Sequence, residues 1–94
     1  MTVNAVYPDG TYYYITNTFA ALKLMTVIHS VETDCPLKKM DLLSGALKRE
    51  KYDTAIRALS SFRSEHEDVE HARTGYLEAI QHAMEKDHEF MLFM

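Results

Sequence analysis

Residues 2–16 read TVNAVYPDGTYYYIT. The middle of this stretch, Pro8-Asp9-Gly10, has the composition of a tight turn. Asp-Gly tolerates the positive φ that a short connection between antiparallel strands demands, and glycine takes it without a steric penalty. Both flanks are rich in Val, Tyr, Ile and Thr, which suit a pleated and half-buried surface. The reading is a β-hairpin over residues 2–16, with strands at 2–7 and 11–16. Alternation along the second strand puts Tyr12 and Tyr14 on one face and Tyr13 and Ile15 on the other. Two strands alone do not persist in water, so one face of the hairpin has to pack on the rest of the chain.

From residue 17 onward the pattern is helical. Asn17 or Thr18 can cap a helix over 18–32, whose apolar positions, including Leu22, Met25 and Ile28, form a stripe too wide for a surface helix. Glu32-Thr33-Asp34-Cys35-Pro36 ends it, and Pro36 fits the first turn of a second helix over 36–48. Asp53 can cap a third helix over 53–63, with Ala55, Ile56, Leu59 and Phe62 as its stripe. Ser64 and Glu67 have the spacing of a capping box for a fourth over 64–90. Ser64 is alternatively plain surface on a helix continuous from 53, and Thr74-Gly75 is a second candidate break. The expected fold is therefore α+β and mainly helical, an N-terminal β-hairpin packed on three or four helices.

The chain has 94 residues, which suits a single domain over 1–94 with a modest core. No apolar run approaches the ~18 residues of a membrane span, and the first residues lack the charged and apolar regions of a secretory signal. A single cysteine, Cys35, fits a reducing compartment, so a cytoplasmic location is expected. Charge is unevenly spread. Residues 1–63 carry eight Lys/Arg and six Asp/Glu, whereas residues 64–94 carry two and eight. Such a basic-to-acidic layout bears on partners and self-association rather than on fold.

Residues 65–90, EHEDVEHARTGYLEAIQHAMEKDHEF, hold four of the five histidines. On a helical wheel Val69, Ala72, Tyr76, Ile80, Ala83 and Met84 gather on one side, and Glu67, His71, Glu78, His82, Glu85 and Glu89 on the other. Glu67/His71 and Glu78/His82 are i,i+4 pairs on that wet face, with His88 near its edge. A metal needs converging ligands. His66 and His71 are roughly 140° apart round a helix, and His71 and His82 are separated by about 16 Å along it. The pattern reads as a solvated acidic face, with no metal or cofactor site.

Other motifs are thin. Cys35-Pro36 has the form of a thiol at a helix start or of the Cys-Pro dipeptide of haem-regulated proteins, but more simply of a small residue at a turn. Gly10, Gly45 and Gly75 are isolated and make no phosphate-cradling loop. TYYYIT resembles an aromatic base-stacking platform, yet residues 1–22 contain no Lys or Arg to accompany it. The stretch 35–63 carries seven basic residues against three acidic ones. Its helices could form a helix-turn-helix, with Lys48, Arg49, Lys51, Arg57 and Arg63 as the DNA-facing set. Finally Phe90-Met91-Leu92-Phe93-Met94 is apolar at every position, so no single helical face could hide it. It either folds back over the hairpin and first helix or buries itself in another chain.

With no catalytic constellation in view, the chain reads as a non-enzymatic protein-binding regulator or inhibitor, of the kind common among phage and mobile-element accessory proteins. The alternative is a DNA-binding transcription regulator acting through residues 37–63. The expected contact residues are Tyr12, Tyr14, Glu67, Tyr76, Phe90, Leu92 and Phe93, and a homodimer is expected, with the apolar stripe of the last helix and the C-terminal run in its interface. Because His71 and His82 stand too far apart to share an ion, dialysed protein analysed for metals should hold no stoichiometric zinc. One tightly held equivalent would mean that ligands converge in a way the wheel does not describe.

Overall fold

The computed structural model describes residues 1–30 and 44–94. Its element order is β1 (Thr2–Val6), β2 (Tyr12–Asn17), α1 (Thr18–Ser30), β3 (Gly45–Lys48), a 3-10 turn (Arg49–Lys51), α2 (Tyr52–Ser60), α3 (Glu67–Glu85) and β4 (Phe90–Phe93). The four strands form one antiparallel sheet in the order β2-β1-β4-β3. The fold is α+β, with three α-helices among the described residues on one side of that sheet.

The hairpin forms where the turn chemistry puts it. Gly10 has φ +89°, and Asp9 Oδ1 accepts hydrogen bonds from the Thr11 amide at 3.0 Å and the Thr11 hydroxyl at 2.6 Å. Tyr12 and Tyr14 are exposed, whereas Ile15 is buried, as the alternation requires. The register then slips. Val3 faces Thr16 but Asn4 faces Tyr14, so Ile15 is an extra, bulged residue. The bulge turns two successive side chains, Ile15 and Thr16, inward. The Thr16 hydroxyl is buried there without a hydrogen-bond partner among the described residues.

Helix α1 starts directly from β2, with Asn17 Oδ1 accepting from the Ala20 amide at 2.7 Å. Helix α3 presses hardest on the sheet at Gly75. A Cβ built on Gly75 would sit 2.4 Å from the Ile15 carbonyl oxygen. Thr74-Gly75 is therefore not a break, because the missing side chain is what allows helix and bulged strand to touch. The helical run from 53 to 90 does break at residues 61–66, between α2 and α3. Tyr52, Tyr76, Phe93, Ile15, Leu24, Ile28, Leu59 and Ile80 are among the large side chains of the single core this builds.

Several expected boundaries move. The helix expected over 36–48 lies mostly outside the described residues, as do Cys35 and Pro36, but its last part is not helical. Residues 45–48 form β3, with Leu47 turned into the core and Ala46 and Lys48 outward. The physical reason is β4. One edge of that strand pairs with β1, its other edge would present a row of unpaired N–H and C=O groups, and Gly45–Lys48 pairs with it residue for residue. The C-terminal run accordingly folds back on the hairpin as a strand, and the helix expected over 64–90 stops at Glu85. Helix α3 ends at Glu85 in a Schellman arrangement: the Asp87 amide donates to the Met84 carbonyl at 3.1 Å and the His88 amide to that of Ala83 at 2.9 Å, with Asp87 at φ +54°. At the other end His66, not Ser64, is the N-cap residue, and Ser64 Oγ accepts from the His66 amide at 3.2 Å. Helix α2 begins at Tyr52, which puts Asp53 inside the first turn rather than at the cap.

Gly75→Ala sets two effects against each other. Alanine favours a helix interior by roughly 1 kcal/mol, but its methyl would meet backbone, which cannot rotate away. We expect a net loss on the order of 2 kcal/mol in a urea titration. A gain in stability would mean that α3 can withdraw from β2 at little cost.

Candidate functional site

The expected contact residues divide by the face of the sheet. Val6 lies opposite both Tyr12 and Leu92, and Leu92 lies opposite Ala46, so Tyr12, Val6, Leu92 and Ala46 form one row across all four strands. Tyr14 faces Asn4, which exchanges backbone hydrogen bonds with Met94 at 2.8 and 2.9 Å, giving a second row. Phe90 faces Lys48 in a third. These side chains point away from the helices. Tyr12 is 74% exposed, Tyr14 49% and Met94 62%, while Val6, Phe90 and Leu92 are half-buried. Long-range pairing thus brings Tyr12, Tyr14, Phe90 and Leu92 onto one open face.

Tyr76 and Phe93 are on the other face. Both are buried in the core, where their rings meet edge-on at 5.2 Å. Val69 and Ile80 are buried with them, so the stripe of α3 is covered within the chain and offers nothing for a twin helix. Met84, at 43% exposure, stays outside. Glu67 is exposed in the first turn of α3, far from the open face in the fold's layering.

The acidic face of α3 is more engaged than the wheel implies. Glu78 accepts a hydrogen bond from the Tyr13 hydroxyl rather than pairing with His82, and that bond pushes the Tyr13 phenol up from its ordinary pKa. Asp68 pairs with Lys23 of α1 at 2.9 Å, which holds its carboxyl below the usual range. His82 and His88 are not on a wet face. The Schellman turn carries His88 back so that its ring stacks on Tyr7 at 5.0 Å, and His82 lies 4.8 Å from the same ring. The Tyr7 hydroxyl donates to the Ala79 carbonyl at 2.8 Å, and burial pushes its pKa up to about 12. His88 Nε2 is buried, with Asp9 Oδ2 at 3.8 Å. Among the described residues no three His, Cys, Asp or Glu side chains gather as a metal site.

Arg73 carries no signal in the sequence beyond its charge, yet it is only 6% exposed. Its Nε and Nη2 donate to the two oxygens of Glu70 at 2.7 and 2.9 Å, and Nη1 donates to the Leu59 carbonyl at 3.0 Å. Glu70 also accepts from the Ser64 amide at 3.1 Å. This cluster fastens the end of α2, the connection and α3 together, and Arg73 holds the Glu70 carboxyl below its usual range.

The basic set is dispersed. Lys48 ends β3, Arg49 and Lys51 begin and end the 3-10 turn, Arg57 is on α2 and Arg63 follows it; all are exposed. Arg49 Nη2 donates to the Asp87 carbonyl at 2.8 Å, and Arg63 Nη1 to that of Phe62 at 3.0 Å. A strand and a 3-10 turn lead into α2, so the pair of helices expected to abut near residue 48 is not built there. Arg49, Glu50, Tyr52, Asp53, Met84 and His88 border a cleft of 290 Å³. A second cleft of 220 Å³ lies between β2 and α3, beside Tyr13, His71 and Glu78.

Comparison with protein-family models, curated proteins and solved structures found no match. No described helix is long and apolar enough to cross a membrane.

Acid should loosen the Arg73 cluster. Glu70 binds its proton more weakly folded than unfolded, so its contribution to stability is complete above the ordinary glutamate value of about 4.5 and is lost as pH falls through the lower folded value. Glu70→Gln should flatten the corresponding part of the stability curve between about pH 5 and 3. An unchanged slope would assign the acid sensitivity to other carboxylates, Asp68 and Asp9 first.

Proposed function

We propose that this chain is a non-enzymatic docking protein, a small regulator or inhibitor that works by seating the open face of its sheet on another protein chain. The observation that carries this reading is the row Tyr12–Val6–Leu92–Ala46, set by the pairing register across all four strands. The apolar stripe of α3 and the inward residues of β4 are occupied in the core. Among the described residues the outward side chains of β4, Phe90 and Leu92, are only half-buried, and the exposed Tyr12 and Tyr14 share their face two strands away. Tyrosine and phenylalanine are the side chains that interfaces favour, since each offers a large rigid contact area at small entropic cost.

The basic residues support a nucleic-acid reading less well. They are spread over β3, the 3-10 turn, α2 and the connection after it, and Arg49 is already held by Asp87. An aromatic platform for bases needs cations beside it, and Lys48 is the charged residue on this sheet face among the described residues.

A photo-crosslinking amino acid at Tyr12 or Tyr14, compared with one at exposed Glu85 of α3, tests the reading in cells that make the protein. A discrete protein adduct is expected from positions 12 and 14 and not from 85, and Leu92→Glu should abolish it. Adducts from Glu85 alone, or adducts insensitive to Leu92→Glu, would move the contact surface off the sheet.

A further inference from the structure

The geometry points to a second copy of this chain as the partner of the open sheet face, packed sheet on sheet about a two-fold axis that runs along the strands. This rests on the reading that the face docks protein, and it adds the occupant and its orientation.

Charge is the first argument. The outward side chains of the sheet include Tyr12, Val6, Leu92 and Ala46 in one row, with Tyr14, Asn4 and Met94 to one side and Phe90 and Lys48 to the other. Among the described residues Lys48 is the charged one. The acidic residues of α3 lie in the helical layer on the far side of the sheet. Two copies meeting face to face therefore bring uncharged surfaces together and keep their acidic layers on opposite outer sides. A partner recognised by charge would find almost nothing here to read.

Shape is the second. The middle row has its largest side chain, Tyr12, on one edge strand and its smallest, Ala46, on the other. Rotation about an axis parallel to the strands reverses the row, so Tyr12 of each copy lies over Ala46 of its twin and Val6 over Leu92. Large meets small at both edges, which is how facing sheets fill the ~10 Å between them. The alternative axis, along the row, would set tyrosine on tyrosine and leave a gap over alanine.

Area sets the strength. Four strands spaced ~4.8 Å apart, with about five residues each at ~3.4 Å, give a face on the order of 300 Å² in plan. A standard interface buries about 800 Å² per partner, and this face falls well short of that, so a dimer of this kind is weak and transient.

Sedimentation equilibrium on the full chain tests this with a swap. The wild type should dimerise detectably below several hundred micromolar. Tyr12→Ala leaves small over small, Ala46→Tyr sets large over large, and each should weaken the dimer by roughly tenfold or more. The double variant Tyr12→Ala/Ala46→Tyr moves the large residue across the axis and should restore the dimer to within a few-fold of wild type. Circular dichroism melts establish that each variant is folded, and Lys48→Ala provides a variant outside that row that should weaken the dimer only modestly. A wild type that stays monomeric at several hundred micromolar, or a double variant no better than the worse single one, overturns the inference. If the wild type is monomeric while the crosslinker at Tyr12 still captures another protein, docking stands and the second copy is wrong. If it is monomeric and position 12 captures nothing, both readings fall together.

Discussion

Phe90–Phe93 lies between β1 and β3, two strands drawn from different parts of the chain, and each would be unpaired on that side without it. Removing β4 would leave β3 with no hydrogen-bonding neighbour in the sheet and would take Met91 and Phe93 out of the core. Each of those buried side chains contributes about 1.5–3 kcal/mol by its apolar area alone. The same strand aligns the outward row, because Leu92 is the residue that places Val6 and Ala46 in register. Core and open face therefore depend on one short apolar segment that points in two directions.

The helical layer depends on a different kind of fit. At Gly75 the backbones of α3 and β2 approach so closely that no side chain fits between them. The bulge at Ile15 aims a carbonyl at that point and turns Thr16 inward beside it. On the far side of α3 the Arg73–Glu70 pair anchors the Leu59 carbonyl near the end of α2 and the amide of Ser64. A buried guanidinium is tolerable because each of its three nitrogens donates to an acceptor and its charge is paired with Glu70, which offsets most of the cost of burying it.

Local signals are legible in this sequence and distant ones are not. Asp9-Gly10 marks the hairpin because its requirement for positive φ is met within a few residues. The periodicity of α1, α2 and α3 marks them as helices for the same local reason, though caps such as His66 do not follow the usual residue preferences. Strand β3 is hidden because Gly45–Lys48 has one large apolar residue, Leu47, whose spacing from Leu43 also suits a helix. What makes it a strand is β4, more than forty residues on. Gly75 has the look of a break and is a contact; Arg73 has the look of surface and is core. Alternation does put Tyr12 and Tyr14 on one face, but that Leu92 and Phe90 join them depends on a register that no window of sequence contains.

The pairing of Ala5 with Phe93 also has a kinetic side. The hairpin and the helices are made of near neighbours and can form early, but the two inner strands meet only when almost the whole intervening chain has been gathered in. Contacts so distant in sequence slow folding, because the entropy of closing the loop is lost before the contact returns anything. Until then Phe90–Phe93 is an uncharged, β-prone segment in water, the kind that pairs with the same segment of another molecule. Strand β4 thus sets the interval during which a newly made chain is most exposed to aggregation.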